Sequence, residues 1–289
     1  MNFIRQGKRA TKLPIWKADE ASLRRTTDLV AVEEPLEIRL GYWDGSRYSE
    51  HAVAVTMRTP GDDVELSVGF LFAEGVIAGF SEVERVRHDA TRRVVTVRLS
   101  PDLPVDLTRL TRYSLTTSSC GVCAKTSLEA LDLAPNIAPL SVREACLDPE
   151  VVQGLPDQLL AEQETFGQTG GLHAAGFADM EGVLLDSRED IGRHNAVDKL
   201  VGARVMEGNL PEGDGILVVS GRASFELVQK ALMARIPVLV AVGAPSSLAV
   251  GLADRYRMTL VGFTRHARFN VYSHMRRLRS SHVLQHEVA

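Results

Sequence analysis

Three cysteines in 289 residues are too few, and odd in number, for a disulfide scaffold. Such a count suits a reducing compartment better than a secreted one. Long apolar runs are missing too. The longest, such as residues 216–219 and 238–242, fall far short of the roughly 20 residues a membrane span needs. The opening stretch MNFIRQGKRATKLP carries bases but no apolar core of the kind that marks a signal peptide. Neither charge sign dominates: 33 Lys and Arg face 37 Asp and Glu, a net charge of −4. The isoelectric point is near 6.1. That balance argues against a dedicated nucleic-acid or membrane-surface binder, and leaves room for a local basic patch. No internal repeat or low-complexity tract stands out. The expectation is a soluble, cytoplasmic protein with no nucleic-acid or membrane partner.

What is present is ordinary globular material, 45% hydrophobic and 24% charged. The length predicts about two domains or one large one. Residues 1–25 are basic, lack periodicity and read as a loose or partly docked arm. Residues 26–110 read as a small α+β subdomain. It has strand-like runs at 29–40 and 51–57, then a break at Pro60-Gly61-Asp62. A helix capped by Asp62 or Asp63 runs to Gly75, and a hairpin follows over 83–87 and 93–99. Residues 111–150 read as a small-residue loop containing Cys120-Gly121-Val122-Cys123, a short helix over 124–131 and a proline-bearing connector. Residues 151–289 read as an α/β core. A helix is predicted near 149–163, a strand pair at 173–177 and 183–186, and a helix over 194–207. An alternation follows: strand 216–220, helix 224–235, strand 237–242, helix 246–256, strand 258–263. The strands of that βαβαβ unit are nearly continuous in Ile, Leu and Val, as expected where both faces are covered.

Four stretches could carry chemistry. Cys120 and Cys123 have the spacing used for metals, disulfide exchange or sulfur carriage. A structural zinc site wants four ligands, and no second CxxC exists. A helix start just after the motif, together with Lys125, would lower a cysteine pKa and favour the thiolate. The second candidate is the set of strand ends: Ser220-Gly221-Arg222, residues 243–247 and residues 263–268. Ligands of open parallel sheets bind beyond those ends, and small residues, hydroxyls and arginines there suit a phosphate-bearing ligand. Third, residues 187–199 pack charge, His194 and Asn195 around a helix start; a salt-bridged, solvated helix face explains them equally well. Fourth, Thr169-Gly170-Gly171-Leu172-His173 could let a ligand approach the backbone, although a lone strand histidine is more often structural.

Taken together, several blocks resemble the FdhD family, the formate dehydrogenase accessory sulfurtransferases. They are MRTPGD at 57–62, GFLFAEG at 69–75, SCGVC at 119–123, GLHAA at 171–175, EDIGRHNAVDK at 189–199, SGR at 220–222, and the stretch from FTR at 263–265 to NVY at 270–272. The resemblance implies a cytidine-deaminase-like α/β core beside the smaller N-terminal α+β subdomain, as a homodimer. It implies that Cys120 accepts persulfide sulfur from a cysteine desulfurase. The sulfur then passes to the molybdenum or tungsten bis(guanine dinucleotide) cofactor of formate dehydrogenase, with Cys123 in a secondary role. The cofactor-binding stretch would be Phe263, Thr264, Arg265, His266, Ala267 and Arg268, joined by Ser220, Gly221, Arg222, His194 and Asn195. No permanently bound metal is expected, and Cys146 receives no role.

Two other classes compete. A zinc- or redox-linked CxxC binding module would carry stoichiometric metal. A nucleotide deaminase needs HxE and PCxxC. No histidine here is followed two residues later by Glu, and Ser119 precedes Cys120, so that class is rejected. From residue 264 onward five arginines face one glutamate, a local 5 − 1 = +4. These arginines either meet a ligand's phosphates or pair with the acidic stretch 143–170.

Overall fold

The computed structural model describes residues 8–20, 22–103, 138–144, 146–211, 213–265 and 268–279. The CxxC loop with its predicted helix, and His266 and Ala267, lie outside them.

The chain forms three sheets among the described residues. In the first, β1 (Ala10–Ala18) and β2 (Leu23–Ala31) make a two-stranded antiparallel ribbon, with Trp16 opposite Arg25. Of the two readings of the arm over residues 1–25, the docked one holds from Ala10: the chain is paired strand over Ala10–Ala18 and again from Leu23. The strand read over 29–40 is also two strands, because the chain leaves the ribbon at residues 32–33 and enters the second sheet.

That sheet holds β3 (Glu34–Trp43), β4 (Tyr48–Arg58), β5 (Val83–Asp89) and β6 (Val94–Leu99), in the order β4-β3-β6-β5. β3 shows why it forms. Leu36, Ile38 and Leu40 alternate into the core while Glu37 and Arg39 pair with each other on the other face. Between β4 and β5, α1 (Asp63–Ala73) packs on the sheet. Asp62 sits at its N-cap with φ 57° but caps nothing: its carboxylate binds Arg9, while Asp63 grips Arg58 at 2.9 Å.

The third sheet has β7 (His173–Ala178), β8 (Leu184–Asp190), β9 (Ile216–Val219), β10 (Val238–Ala241), β11 (Thr259–Arg265) and β12 (Arg268–Ser273), ordered β12-β11-β10-β9-β7-β8. β9, β10 and β11 run parallel, as the alternation predicted. The sheet is mixed overall, since β7 pairs antiparallel with β9, and β12 with β11. Its helices are α2 (Pro149–Ala161), α3 (Glu164–Thr169), α4 (Arg193–Glu207), α5 (Phe225–Met233) and α6 (Ser247–Arg255).

The parallel strands are buried on both faces, and alternate residues go to different layers. Ile216, Val218, Val238, Val240 and Val261 meet Val152, Leu155 and Leu159 of α2. Leu217, Val219, Leu239 and Leu260 join Val197, Leu200, Leu227 and Leu252 from α4, α5 and α6. This second cluster continues through Leu66, Val68 and Leu71 of α1 into Leu36, Ile38 and Val95 of the small sheet. One core thus serves both sheets.

The seam is the crossing of α1 with α4. Gly69 and Gly202 let the two backbones nearly touch. A Cβ on Gly69 would stand 1.9 Å from the Asp198 carbonyl oxygen, and one on Gly202 1.8 Å from that of Glu65. Neither atom has room, and the obstacle is backbone rather than a movable side chain. Gly202→Ala should force the helices apart and cost about 3 kcal/mol or more, at the upper end for overpacking. Chemical denaturation of the variant measures it; a midpoint within error of the parent would contradict the crossing.

Candidate functional site

The carboxyl ends of β9, β10 and β11 lie side by side, and their loops are stitched together. Gly243 N donates to Gly221 O at 2.9 Å, and Phe263 N donates to Gly243 O at 3.1 Å. Ala223 N reaches Ala244 O at 3.2 Å. A Cβ on Gly243 would approach the Arg222 backbone to 3.0 Å, so the loops need glycine there to pack this closely. Ser220 faces the opposite neighbour: its Oγ accepts from Ala174 N at 2.9 Å. Ser220, Gly221, Arg222 and Phe263 are thus brought to one edge of the sheet.

The stretch at 263–268 is not a simple strand-end turn. β11 passes the end of its pairing with β10 at Val261, continues to Arg265, and returns as β12. A register shift between Gly262 and Arg265 breaks the ladder, and Phe263 takes a left-handed φ of 55° there. Its ring is exposed, as are Arg265 and Arg268, while Thr264 is fully buried. The buried Thr264 hydroxyl has no hydrogen-bond partner among the described residues, and its burial keeps it from the surface that Phe263 and Arg265 share.

The tail arginines divide. Arg276 and Arg279 pair with Glu144 at 3.8 Å and Asp148 at 2.9 Å, as the competing reading of that segment held. Arg277 is buried, donating to Thr259 Oγ1 at 3.0 Å and Ser141 O at 2.7 Å. Burial holds its pKa below the usual arginine value. These three tie the tail down. Arg222, Arg265 and Arg268 have no ion-pair partner among the described residues. Three exposed arginines at one sheet edge, with backbone loops beside them, suit a phosphate-bearing group.

Residues 189–199 do something else. Lys199 and Asp190 are completely buried and 2.8 Å apart. Lys199 also donates to Thr59 O at 2.9 Å and Glu189 O at 3.3 Å. Asp190 accepts from Thr59 N, Gly192 N and Asn195 Nδ2 at 2.8–3.0 Å. Asn195 is buried and fully engaged: Nδ2 also donates to Met57 O at 2.7 Å, and Oδ1 accepts from Thr56 at 3.1 Å. It joins the two sheets and points away from the strand ends. His194 turns to the start of α5, with Nε2 2.7 Å from Glu226 and 3.2 Å from Ser224 Oγ. Deeper between the helices, Asp198 pairs with Lys230, and burial pushes its carboxyl up to about 6. The solvated helix face weighed for this block is overturned: its charges are interior.

Two residues of this region stood inside candidate stretches without a role of their own. His173 opens β7 beside Gly221, and Arg193 opens α4. The available signal was the first turn of α4, which holds Arg193 and His194 but no acid, against the preference of a helix start. Among the described residues no group of three or more His, Cys, Asp or Glu is placed to hold a metal. None of their helices is long and apolar enough to cross a membrane.

A model of the FdhD/NarQ family matches residues 31–279. The sulfur carrier protein FdhD of Streptomyces avermitilis is 49% identical over 254 residues, covering 85% of this chain and 87% of the relative. That of Mycobacterium tuberculosis is 48% identical over 272 residues, covering 90% and 95%. That of Saccharolobus solfataricus is 37% identical, covering 94% and 99%. Among solved structures, a formate dehydrogenase accessory protein from Desulfotalea psychrophila superposes with a TM-score of 0.72 at 25% identity, over 94% of this chain and all of that one.

The geometry separates ties from free cations. Asn195→Ala should lower stability by about 1–3 kcal/mol, since it strands a buried carbonyl and carboxylate. Arg265→Ala and Arg268→Ala should stay within about 0.5 kcal/mol of the parent, as exposed side chains with no ion-pair partner among the described residues. Thermal melts compare the three; equal losses would erase the distinction.

Proposed function

Because this chain belongs to the FdhD/NarQ family, we propose that it is a sulfur carrier that activates formate dehydrogenase. The observation that carries this reading is the near-half identity to sulfur carrier proteins over most of both chains. In this reading Cys120 takes the outer sulfur of a cysteine desulfurase's persulfide. The Cys120 thiolate attacks that sulfur, the donor's cysteine thiolate leaves, and Cys120 holds the new persulfide. Lys125 and the predicted helix start after the motif favour the thiolate that this attack needs. Cys123 helps to release or protect the sulfur.

The sulfur then goes to the molybdenum or tungsten bis(guanine dinucleotide) cofactor destined for formate dehydrogenase, which is the substrate of the transfer. This chain's part is to bind and orient it. Arg222, Arg265 and Arg268 meet its phosphates, with backbone N–H groups of the strand-end loops beside them. The protein works in the cytoplasm as a homodimer, and its mixed α/β core is read as cytidine-deaminase-like.

Two measurements test this. After incubation with a desulfurase and cysteine, mass spectrometry should find one added sulfur on the peptide containing Cys120. Cys120→Ala should neither load sulfur nor activate the client, and Cys123→Ala should be impaired less completely. A Cys120→Ala protein that loads and activates fully would reverse the assignment. Calorimetry with GDP should show binding by the parent. Charge-assisted hydrogen bonds are each worth about 1.5–3 kcal/mol, so the double variant Arg265→Ala/Arg268→Ala should bind more than tenfold more weakly. An unchanged dissociation constant would remove the strand ends from the mechanism and leave Cys120 standing.

A further inference from the structure

His173 belongs to the glycine-flanked stretch that the sulfur-carrier reading leaves without a role. It opens β7 where that strand meets the end of β9, held by Ala174 N to Ser220 Oγ at 2.9 Å and Ser220 N to Ala174 O at 3.0 Å. Its imidazole lies against Gly221. A Cβ there would stand 3.3 Å from Nδ1, 3.5 Å from Cε1 and 3.8 Å from Cδ of Arg193. The ring and the Arg193 stem therefore converge on the glycine that precedes Arg222. Although half-buried, the ring has no hydrogen-bond partner among the described residues. The Arg193 Nε beside it is buried and equally without one.

We infer that His173 is a ligand-contacting residue of the strand-end site and takes up a proton as the phosphate-bearing nucleotide binds. The inference rests on the nucleotide reading above. Three titratable or charged groups act on the ring: Arg193 and His194 from α4, and Asp190 from β8. Among them Asp190 is the one carboxylate, and its oxygens are already taken by Lys199, Asn195 and two backbone N–H groups. Arg193 is a cation, and α4 adds the positive end of its dipole with no side-chain cap and no acid in its first turn. Burial, then Arg193 and His194, hold the His173 pKa below the ordinary histidine value. These causes favour the uncharged imidazole in the free protein. A phosphate over Gly221 reverses the local field, favours the imidazolium, and receives its N–H as a charge-assisted donor.

The sign follows. Between the lowered pKa of the free protein and the higher one of the complex, the complex holds more protons. Binding therefore absorbs a proton, and affinity rises as pH falls through that window, by up to about tenfold per pH unit for one group.

The test is calorimetry of GDP at one pH in buffers of different ionisation enthalpy, on the parent and on His173→Gln. The parent should absorb a proton that the variant does not, after the nucleotide's own titration cancels between them. His173→Gln should also bind more weakly, with a flatter pH profile and an unchanged melting temperature. Histidine-selective NMR of the parent, with and without GDP, follows the His173 ring directly should the variant fail to fold; its pKa should rise in the complex. GDP binding with equal proton uptake in parent and variant, or a His173 pKa that GDP leaves unmoved, overturns this inference alone. A parent that binds no GDP overturns both it and the nucleotide reading.

Discussion

One buried carboxylate organises the junction on which the strand-end site depends. Asp190 ends β8 with no solvent contact and is satisfied by Lys199, Asn195 and the backbone of Thr59 and Gly192. These partners come from three places: the loop between β4 and α1, the turn after β8, and the inner face of α4. A charge so placed is tolerable only when every lone pair is met, and removing one partner from a buried pair typically costs about 3–5 kcal/mol. The node therefore fixes the start of α4, and with it Arg193 and His194, against the edge where β7 meets β9. The Gly69–Gly202 crossing then holds α4 to α1 along its length.

From that anchor the strand-end site follows by geometry. β9 and β10 are short and buried, so their loops emerge together, and the Gly221–Gly243–Phe263 hydrogen bonds keep them level. β11 alone runs on, carrying Arg265 past the others before β12 brings back Arg268. The tail arginines that could have neutralised the acidic connector do so at Glu144 and Asp148, on the far side of the tail's tie-down. What is left at the strand ends is a set of arginines with no counter-ion among the described residues, in a protein of net charge −4. Unpaired cations of this kind are cheap in water and become strong contacts only when a phosphate excludes it.

Much of this was legible in the residues. α2 was visible because it buries one face at helical period, β9, β10 and β11 as short apolar runs buried on both faces with α5 and α6 between them, α1 as an apolar stretch after the Pro60-Gly61 break, and β5–β6 as runs flanking a polar turn. β1 and β2 were not, because the ribbon is exposed on both faces along much of its length and so has no buried side to impose alternation. The switch from β2 to β3 was hidden because both strands are extended. β12 did carry a signal, with Phe269 and Val271 alternating against Arg268 and Asn270, but the stretch reads as ligand-binding once its arginines are noticed. The block at 189–199 misled for a different reason: charged residues suggest water, and only tertiary structure supplies the partners that let Asp190, Asp198 and Lys199 turn inward. Cys120 and Cys123 lie outside the described residues, so the sulfur-bearing half of the site stands on sequence and family.

The exposed ribbon also decides what light can report. The chain has two tryptophans. Trp16 is 66% exposed on the ribbon, and Trp43 is 41% exposed at the end of β3, edge-on to Tyr48. Neither is on the six-stranded sheet. Intrinsic emission will begin red-shifted in the folded state and respond to events on the two smaller sheets, while events at the strand-end edge of the six-stranded sheet pass unseen. A tryptophan at Phe263, exposed at that edge, would give the site an optical voice of its own.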